Sequence, residues 1–329
     1  MTRRLLVWPA AALAVAAAVV LSLAVGTRAV PPSAVLDALL NHGDSPDALV
    51  VRSLRLPRTE IGLTAGAALG LAGAALQAVT RNPLADPGIL GLSQGAAAGV
   101  VVAIALGLAS GFSGYVWFAF AGAVLAACLV YAIASRGRGG ASPVKLALAG
   151  TALAAMTAGG ATVVLTSSSA TLDQFRFWQV GALSGRDAGS VVRMLPFLLV
   201  GAVLVMVCAP GLDALALGDE TARALGHRVH LVRGSAALGA TLLTASAVAA
   251  AGPIVFVGLV VPHLARRLVR GGHRTSLPLS ALLGAGLLVL ADVAGRVVRA
   301  PAEVPAGVMT ALVGVPVLVV LVRRRREVT

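Results

Sequence analysis

The sequence predicts an all-α integral membrane protein of about ten transmembrane helices with an inverted internal repeat. Three observations carry this. Of 329 residues, 58% are hydrophobic and a further 38 are Gly, whereas soluble domains hold about 45–50% apolar residues on a comparable count. Charged residues make up only 12%, about half the usual share, and the mean hydropathy is +0.93. The apolar residues also fall in continuous runs, not in the alternating pattern of a membrane barrel. A chain this apolar has no water-facing coat, which excludes a soluble enzyme, a disordered chain and a nucleic-acid-binding module. Residues 1–329 are read as one transmembrane domain.

A spanning helix needs about 20 mostly apolar residues. In order, the runs that approach this length are 5–25, 60–80, 92–110, 114–135, 143–167, 191–210, 234–254, 255–270, 278–298 and 305–322. The first follows Thr2-Arg3-Arg4. It exceeds the roughly 7–15 residues of a signal-peptide core and is read as a retained helix. Cys128 and Cys208 lie in different runs, which predicts packed thiols and no disulfide framework.

The net charge is +13, and Lys145 is the only lysine among 26 basic residues. These residues stand singly or in short groups between apolar runs, as in membrane loops. With the N-terminus inside, 17 of them lie in inner segments and nine in outer ones, so the positive-inside tendency predicts both termini in the cytoplasm. The composition suits a bacterial cytoplasmic membrane. The outer nine are Arg28, Arg52, Arg55, Arg58, Arg176, Arg186, Arg193, Arg296 and Arg299. Four of them crowd into residues 28–58, which asks for a reason other than topology.

Residues 81–95 carry two turn signals, Asn82-Pro83 and Asp86-Pro87-Gly88, between apolar runs with almost no polar loop. They form either a tight cytoplasmic hairpin or a broken segment beside a pathway. Residues 252–267 hold a second Pro/Gly break. There Pro262 frees the carbonyl of Gly258 within a helix, and His263 is a lone ionisable group, more simply structural than a ligand. Regions 62–95 and 234–267 share the order small-residue helix, break, second helix, and would enter from opposite sides.

The inner loop 211–233 contains a short helix signal: Asp219 at the N-cap, Glu220 in the first turn, Arg223 near the end and Gly226 past it. Two turns are unstable alone, so this helix packs on its own spans or on a second protein. Asp292 and Arg296, four apart in an apolar run, form either a local ion pair or a functional site. There is no phosphate-binding G-x-x-x-x-G-K-[ST] loop, no Ser/His/Asp or H-E-x-x-H set, and the five histidines make no metal-ligand cluster. No cofactor or catalytic residue is predicted.

Several motifs together resemble one family: Leu54-Arg-Leu-Pro-Arg58, the stretch from Gln77 to Gly95, and Trp178 followed by Gly181-Ala-Leu. Leu217 to Gly226, Phe256 to His263 and Glu303-Val-Pro-Ala-Gly307 complete the set, in the same order. They resemble the FecCD-type (type II) permeases of ABC importers for iron–siderophores, haem and cobalamin, over roughly residues 5 to 322. The resemblance implies a second permease subunit, identical or sister, two cytoplasmic ATP-binding subunits and an extracytoplasmic substrate-binding protein. It further implies that Arg55, Arg58 and Arg296 meet acids on that binding protein. It makes Gly218, Asp219, Glu220, Ala222, Arg223, Leu225 and Gly226 the coupling helix for the ATPase. Ser142, Pro143 and Val144 fall at its cytoplasmic gate, with Pro143 and Val144 in place of small polar residues. The expected function is import of an iron(III)–siderophore complex by alternating access, with haem or cobalamin as alternative cargo. A secondary transporter without an ATPase is the alternative from another class.

Overall fold

The computed structural model describes residues 2–27, 29–41, 45–108, 111–136, 143–186, 189–269 and 271–326, and every regular element among them is helical. Helix α1 (Thr2–Ala24) is followed by the short α2 (Pro32–Leu40). Helix α3 (Pro46–Leu49) opens on Ser45, whose hydroxyl accepts the Ala48 amide, with Pro46 in its first turn. It continues through a π turn, Val50–Arg55, into α4 (Leu56–Thr80). One helical stretch of 35 residues therefore runs from Pro46 to Thr80. The sequence reading began this span at 60 and took the arginines before it as loop. The π turn widens the backbone just ahead of Pro57, which lets a helix pass a residue that lacks an amide donor.

Helix α5 (Leu92–Ala105) is shorter than its predicted run, while α6 (Gly111–Ser135) and α7 (Pro143–Ser167) match theirs. Helix α8 (Ser169–Gln179) was not predicted; the Ser168 hydroxyl caps it by accepting the Thr171 amide. Helix α9 (Gly189–Val207) leads into α10 (Ala209–Ala216) and α11 (Asp219–Ala224). The chain closes with α12 (Val229–Ala251), α13 (Val257–Val269), α14 (His273–Val298) and α15 (Ala306–Arg326). All ten predicted runs coincide with helices. Among the described residues seven stretches are long and apolar enough to cross a membrane, whereas α5, α13 and the apolar part of α15 are shorter.

The core is built on α4, which packs against α12, α13 and α14. Small residues set its distances. A Cβ at Gly66 would collide with the carbonyl of Gly284 on α14, and one at Gly73 with the backbone of Gly258 on α13. Backbones that close gain dispersion contact that lipid-facing side chains cannot supply. Helices α6 and α9 flank α12, α1 covers α14, and α7 lies outermost against α5 and α6. Helix α4 ends at the residues that face α11, and α12 starts there and runs the other way. The two halves of the repeat are therefore antiparallel at their shared contact.

Candidate functional site

Arg58 and Arg81 lie at opposite ends of α4, about 35 Å apart at 1.5 Å per residue, and a polar cluster is built at each end. At the first, Arg58 Nε donates to both carboxylate oxygens of Asp292 at 2.9 and 2.8 Å, and its Nη2 donates to Oδ1 at 2.7 Å. Arg58 Nη1 donates to Glu303 Oε2 at 2.7 Å. Arg296 donates to Asp292 Oδ2 from Nε at 3.0 Å and from Nη2 at 2.7 Å. It also donates to the Ser22 carbonyl and hydroxyl at 2.8 and 2.7 Å. Arg55 Nη1 donates to the Leu23 carbonyl at 2.6 Å. One carboxylate thus joins α4 to α14, and the arginines tie both to the end of α1.

The sequence reading put Arg55, Arg58 and Arg296 on an outer surface. The structure turns them inward, with only 2–9% of each exposed, and Asp292 is 1% exposed. The reason is helical. Because α4 begins early, residues 55 and 58 ride on its inner face, where a buried carboxylate stabilises two guanidiniums that would otherwise be costly. They still open to solvent through a cleft of about 350 Å³, lined by Arg55, Arg58, Arg186, Arg296 and Glu303. Burial pushes the Arg186 guanidinium well below its usual pKa. Its Nε and Nη2 donate to the carbonyls of Ala182 and Ala251, the latter closing α12. Arg176, on α8, is well exposed, as is Arg299 beyond α14.

At the other end, Gly218 is the N-cap of α11 at φ 113°, a left-handed conformation that suits glycine. Asp219, expected as the cap, is instead the first helical residue. Its carboxylate accepts from Arg233 Nη1 and Nη2 at 2.9 Å each and pairs with Arg81. Gly226 follows the helix at φ 83°, as its sequence position predicted. Ala222 is wholly buried against its own subunit, so it is not available to a partner. The outward face of α11 carries Glu220, Arg223 and Leu225, the last 60% exposed.

The two breaks begin at these clusters, the first after Arg81 and the second after Ala251, whose carbonyl Arg186 holds. In the first, Asn82 Oδ1 accepts the Leu84 amide and Asp86 Oδ1 accepts the Gly88 amide, giving an ordered turn through Pro83 that re-enters helix after Pro87–Leu90. In the second, Gly252 and Phe256 have φ of 78° and 69°, and residues 252–256 leave helix with Gly252 and Ile254 buried and Val255 exposed. The first break meets the start of α13: a Cβ at Gly258 would touch the Pro87 ring. Pro262 is buried within α13 and His263 half-buried beside it. The carbonyl that Pro262 frees is taken by Gln77, whose Nε2 donates to Gly258 O at 3.1 Å while its Oε1 accepts from Arg266 at 2.6 Å. Sequence reasoning missed Gln77 in this role, along with Arg233 and Glu303. An amide one turn before a helix end, in an otherwise apolar face, was the available signal for the first.

Ser142 lies outside the described residues, Pro143 begins α7, and Val144 is 67% exposed. The outward face of α7 carries Thr151, Thr162 and Thr166, whose hydroxyls donate to carbonyls one turn back, and Gly159 and Gly160, where an added Cβ would meet nothing within 4 Å. Among the described residues no three His, Cys, Asp or Glu gather as a metal site.

A bundle with two broken helices meeting in its interior, and a hydroxyl-bearing helix face left open, is that of a multi-pass membrane permease. More particularly, the chain belongs to the FecCD transport family, whose pattern matches residues 14–324. It is 44% identical over 309 residues to the ferric enterobactin transport system permease protein FepD of Escherichia coli K12, covering 94% of this chain and 92% of that one. It is 42% identical over 311 residues to the Fe(3+)-citrate import system permease protein YfmD of Bacillus subtilis 168, covering 93% and 91%. A solved chain from an inward-facing metal-chelate type ABC transporter has a TM-score of 0.82 at 27% identity, covering 96% of this chain and 98% of that one. The protein is thus the membrane permease of an ABC transporter complex.

Proposed function

We propose that this chain, as one transmembrane domain, imports an iron(III)–siderophore complex across a bacterial cytoplasmic membrane by alternating access. In this reading it pairs with a second permease, identical or sister, and two ATP-binding subunits drive it. An extracytoplasmic binding protein delivers the cargo. The observation that carries the reading is the near full-length similarity to the ferric enterobactin permease.

The geometry supports a sidedness for these partners. The cleft at Arg55, Arg58 and Arg296 presents positive charge through an open mouth, which suits acidic side chains of a binding protein on the outside. The exposed Glu220, Arg223 and Leu225 of α11 suit an ATPase on the inside, with both termini on that side. The open face of α7 is where a second permease and the cargo path would meet, since exposed Thr and Gly gain little from lipid. Asn82 and Pro83 belong to the segment that holds Pro87, and Pro262 and His263 to the helix whose first turn holds Gly258. The contact of Pro87 with Gly258 joins the two, a place that alternating access would work through.

The test is uptake of ferric enterobactin into vesicles holding the permease, its ATPase and its binding protein. ATP-dependent, vanadate-sensitive uptake supports the reading. Uptake of haem or cobalamin alone would change the cargo. Uptake driven by a proton gradient without ATP would replace the reading with a secondary transporter.

A further inference from the structure

We propose that Asp219 is a positioning residue that pins the coupling helix to the transmembrane core, so that displacement of α11 is delivered directly to the α4–α5 break and to α12. The proposal rests on the reading of α11 as the ATPase contact.

A six-residue helix does not hold itself together, and only Ala222 anchors α11 by packing. The second anchor is the Asp219 carboxylate. Arg233 grips it with a two-pronged fork of 2.9 Å bonds, and Arg81 pairs with the same group. A forked guanidinium resists rotation as well as separation, which a single neutral hydrogen bond does not. The two arginines come from different places: Arg81 from the end of α4, Arg233 from the first turns of α12. One side chain therefore binds α11 to both halves of the repeat.

The backbone at Arg81 points the same way. Arg81 closes α4 at φ 51°, a left-handed conformation in which glycine sits without strain and an L side chain does not. Arginine at this position carries backbone strain and places its guanidinium on Asp219. Such a local cost at a joint is a pointer to function. One turn earlier, Gln77 ties α4 to α13 through the carbonyls of Gly258 and Leu259. The last turn of α4 thus joins α11, α12 and α13, and α5 is the first element beyond this joint, reached across residues 81–91.

The test uses the assembled transporter in lipid discs, with Arg81→Gly and Asp219→Asn. Arg81→Gly relaxes the backbone while it removes the α4 side of the pin and leaves the Arg233 fork. It should leave thermal stability unchanged or raised, and ATPase copurification intact. Transport per ATP hydrolysed should fall by about tenfold, the scale of a typical coupling between sites. Asp219→Asn should show the same split, with partial rescue by Asp219→Glu. In a Cys128→Ser/Cys208→Ser background, spin labels at Asn82→Cys and Ala224→Cys should give one narrow distance in every nucleotide state, which broadens on adding Asp219→Asn. If Arg81→Gly transports with wild-type stoichiometry, or if Asp219→Asn simply loses the ATPase, the proposal is overturned. Leu225→Glu serves as the separate check: should it leave ATPase binding and transport intact, the assignment of α11 to the ATPase fails instead.

Discussion

Asp292 accepts hydrogen bonds from Arg58 and Arg296 while almost wholly buried, and that single carboxylate decides what substitutions at this end of the molecule do. Asp292→Ala leaves two buried guanidiniums without their shared anion. A loss of about 3–5 kcal/mol is expected, read as a large drop in the thermal unfolding midpoint in detergent. Replacing the set together, Arg58→Met with Asp292→Leu and Arg296→Met, should recover much of that loss, because apolar side chains fill the space without a desolvation cost. Reversal of Arg58 to Glu is accordingly a stability lesion first and a docking lesion second. Glu303 offers the cleaner probe of docking. It is about a third exposed and holds the outward nitrogen of Arg58. Glu303→Gln should free positive charge in the cleft, tighten an acidic binding protein and steepen the salt dependence of its association rate. An unchanged rate at every ionic strength would remove the cleft from the docking surface. Part of this cluster was legible: Asp292 and Arg296 stand four apart. Arg58 is separated from its partner by 234 positions, and no local spacing reports such a pair.

Among the elements, the helices were readable wherever apolar length alone defined them, and less so where a short polar helix packs on the bundle. Helix α8 shows why. Thr171, Phe175 and Trp178 recur at helical spacing and are all buried, yet Asp173, Gln174 and Arg176 between them lower the hydropathy of the window. Ser45-Pro46-Asp47 was likewise a helix start in plain view, overshadowed by the arginines that follow. On α11 the capping pattern was off by one residue at its start and right at its end. The consequence for mutagenesis is direct. Ala222 faces inward, so a bulky charged residue there should cost folded protein in detergent extracts. Leu225→Glu, on the exposed face, should leave insertion normal and reduce ATPase copurification. At the crossing of α4 and α14, Gly66→Val should drive apart two backbones held in contact. The expected cost is at least the 1–3 kcal/mol or so of ordinary overpacking, and it should appear as reduced monodisperse yield.

For the molecule as a whole, the repeat announced itself in two matching orders of helix, break and helix, and the structure sets those halves antiparallel, with the first break against the start of α13. What the sequence concealed is how unequally the spans share the work of folding. The stretch Pro46–Thr80 is 78% buried over its apolar window, against 17% for Val144–Ser167 on α7. A single cysteine at Thr162 in a cysteine-free background should react with a water-soluble thiol reagent in the assembled transporter, and more slowly when cargo is present. Protection by lipid alone, independent of cargo, would remove α7 from the pathway. The small core share of α7, chiefly Ala149 and Leu153 against α6, has a consequence for diversification. Foldability is vested in α4, α12 and α14, so most substitutions on the outer face of α7 are close to neutral for the scaffold. A library confined to that face could vary the proposed cargo path in a protein that still folds and inserts, which makes one helix of this permease an adjustable part mounted on a fixed frame.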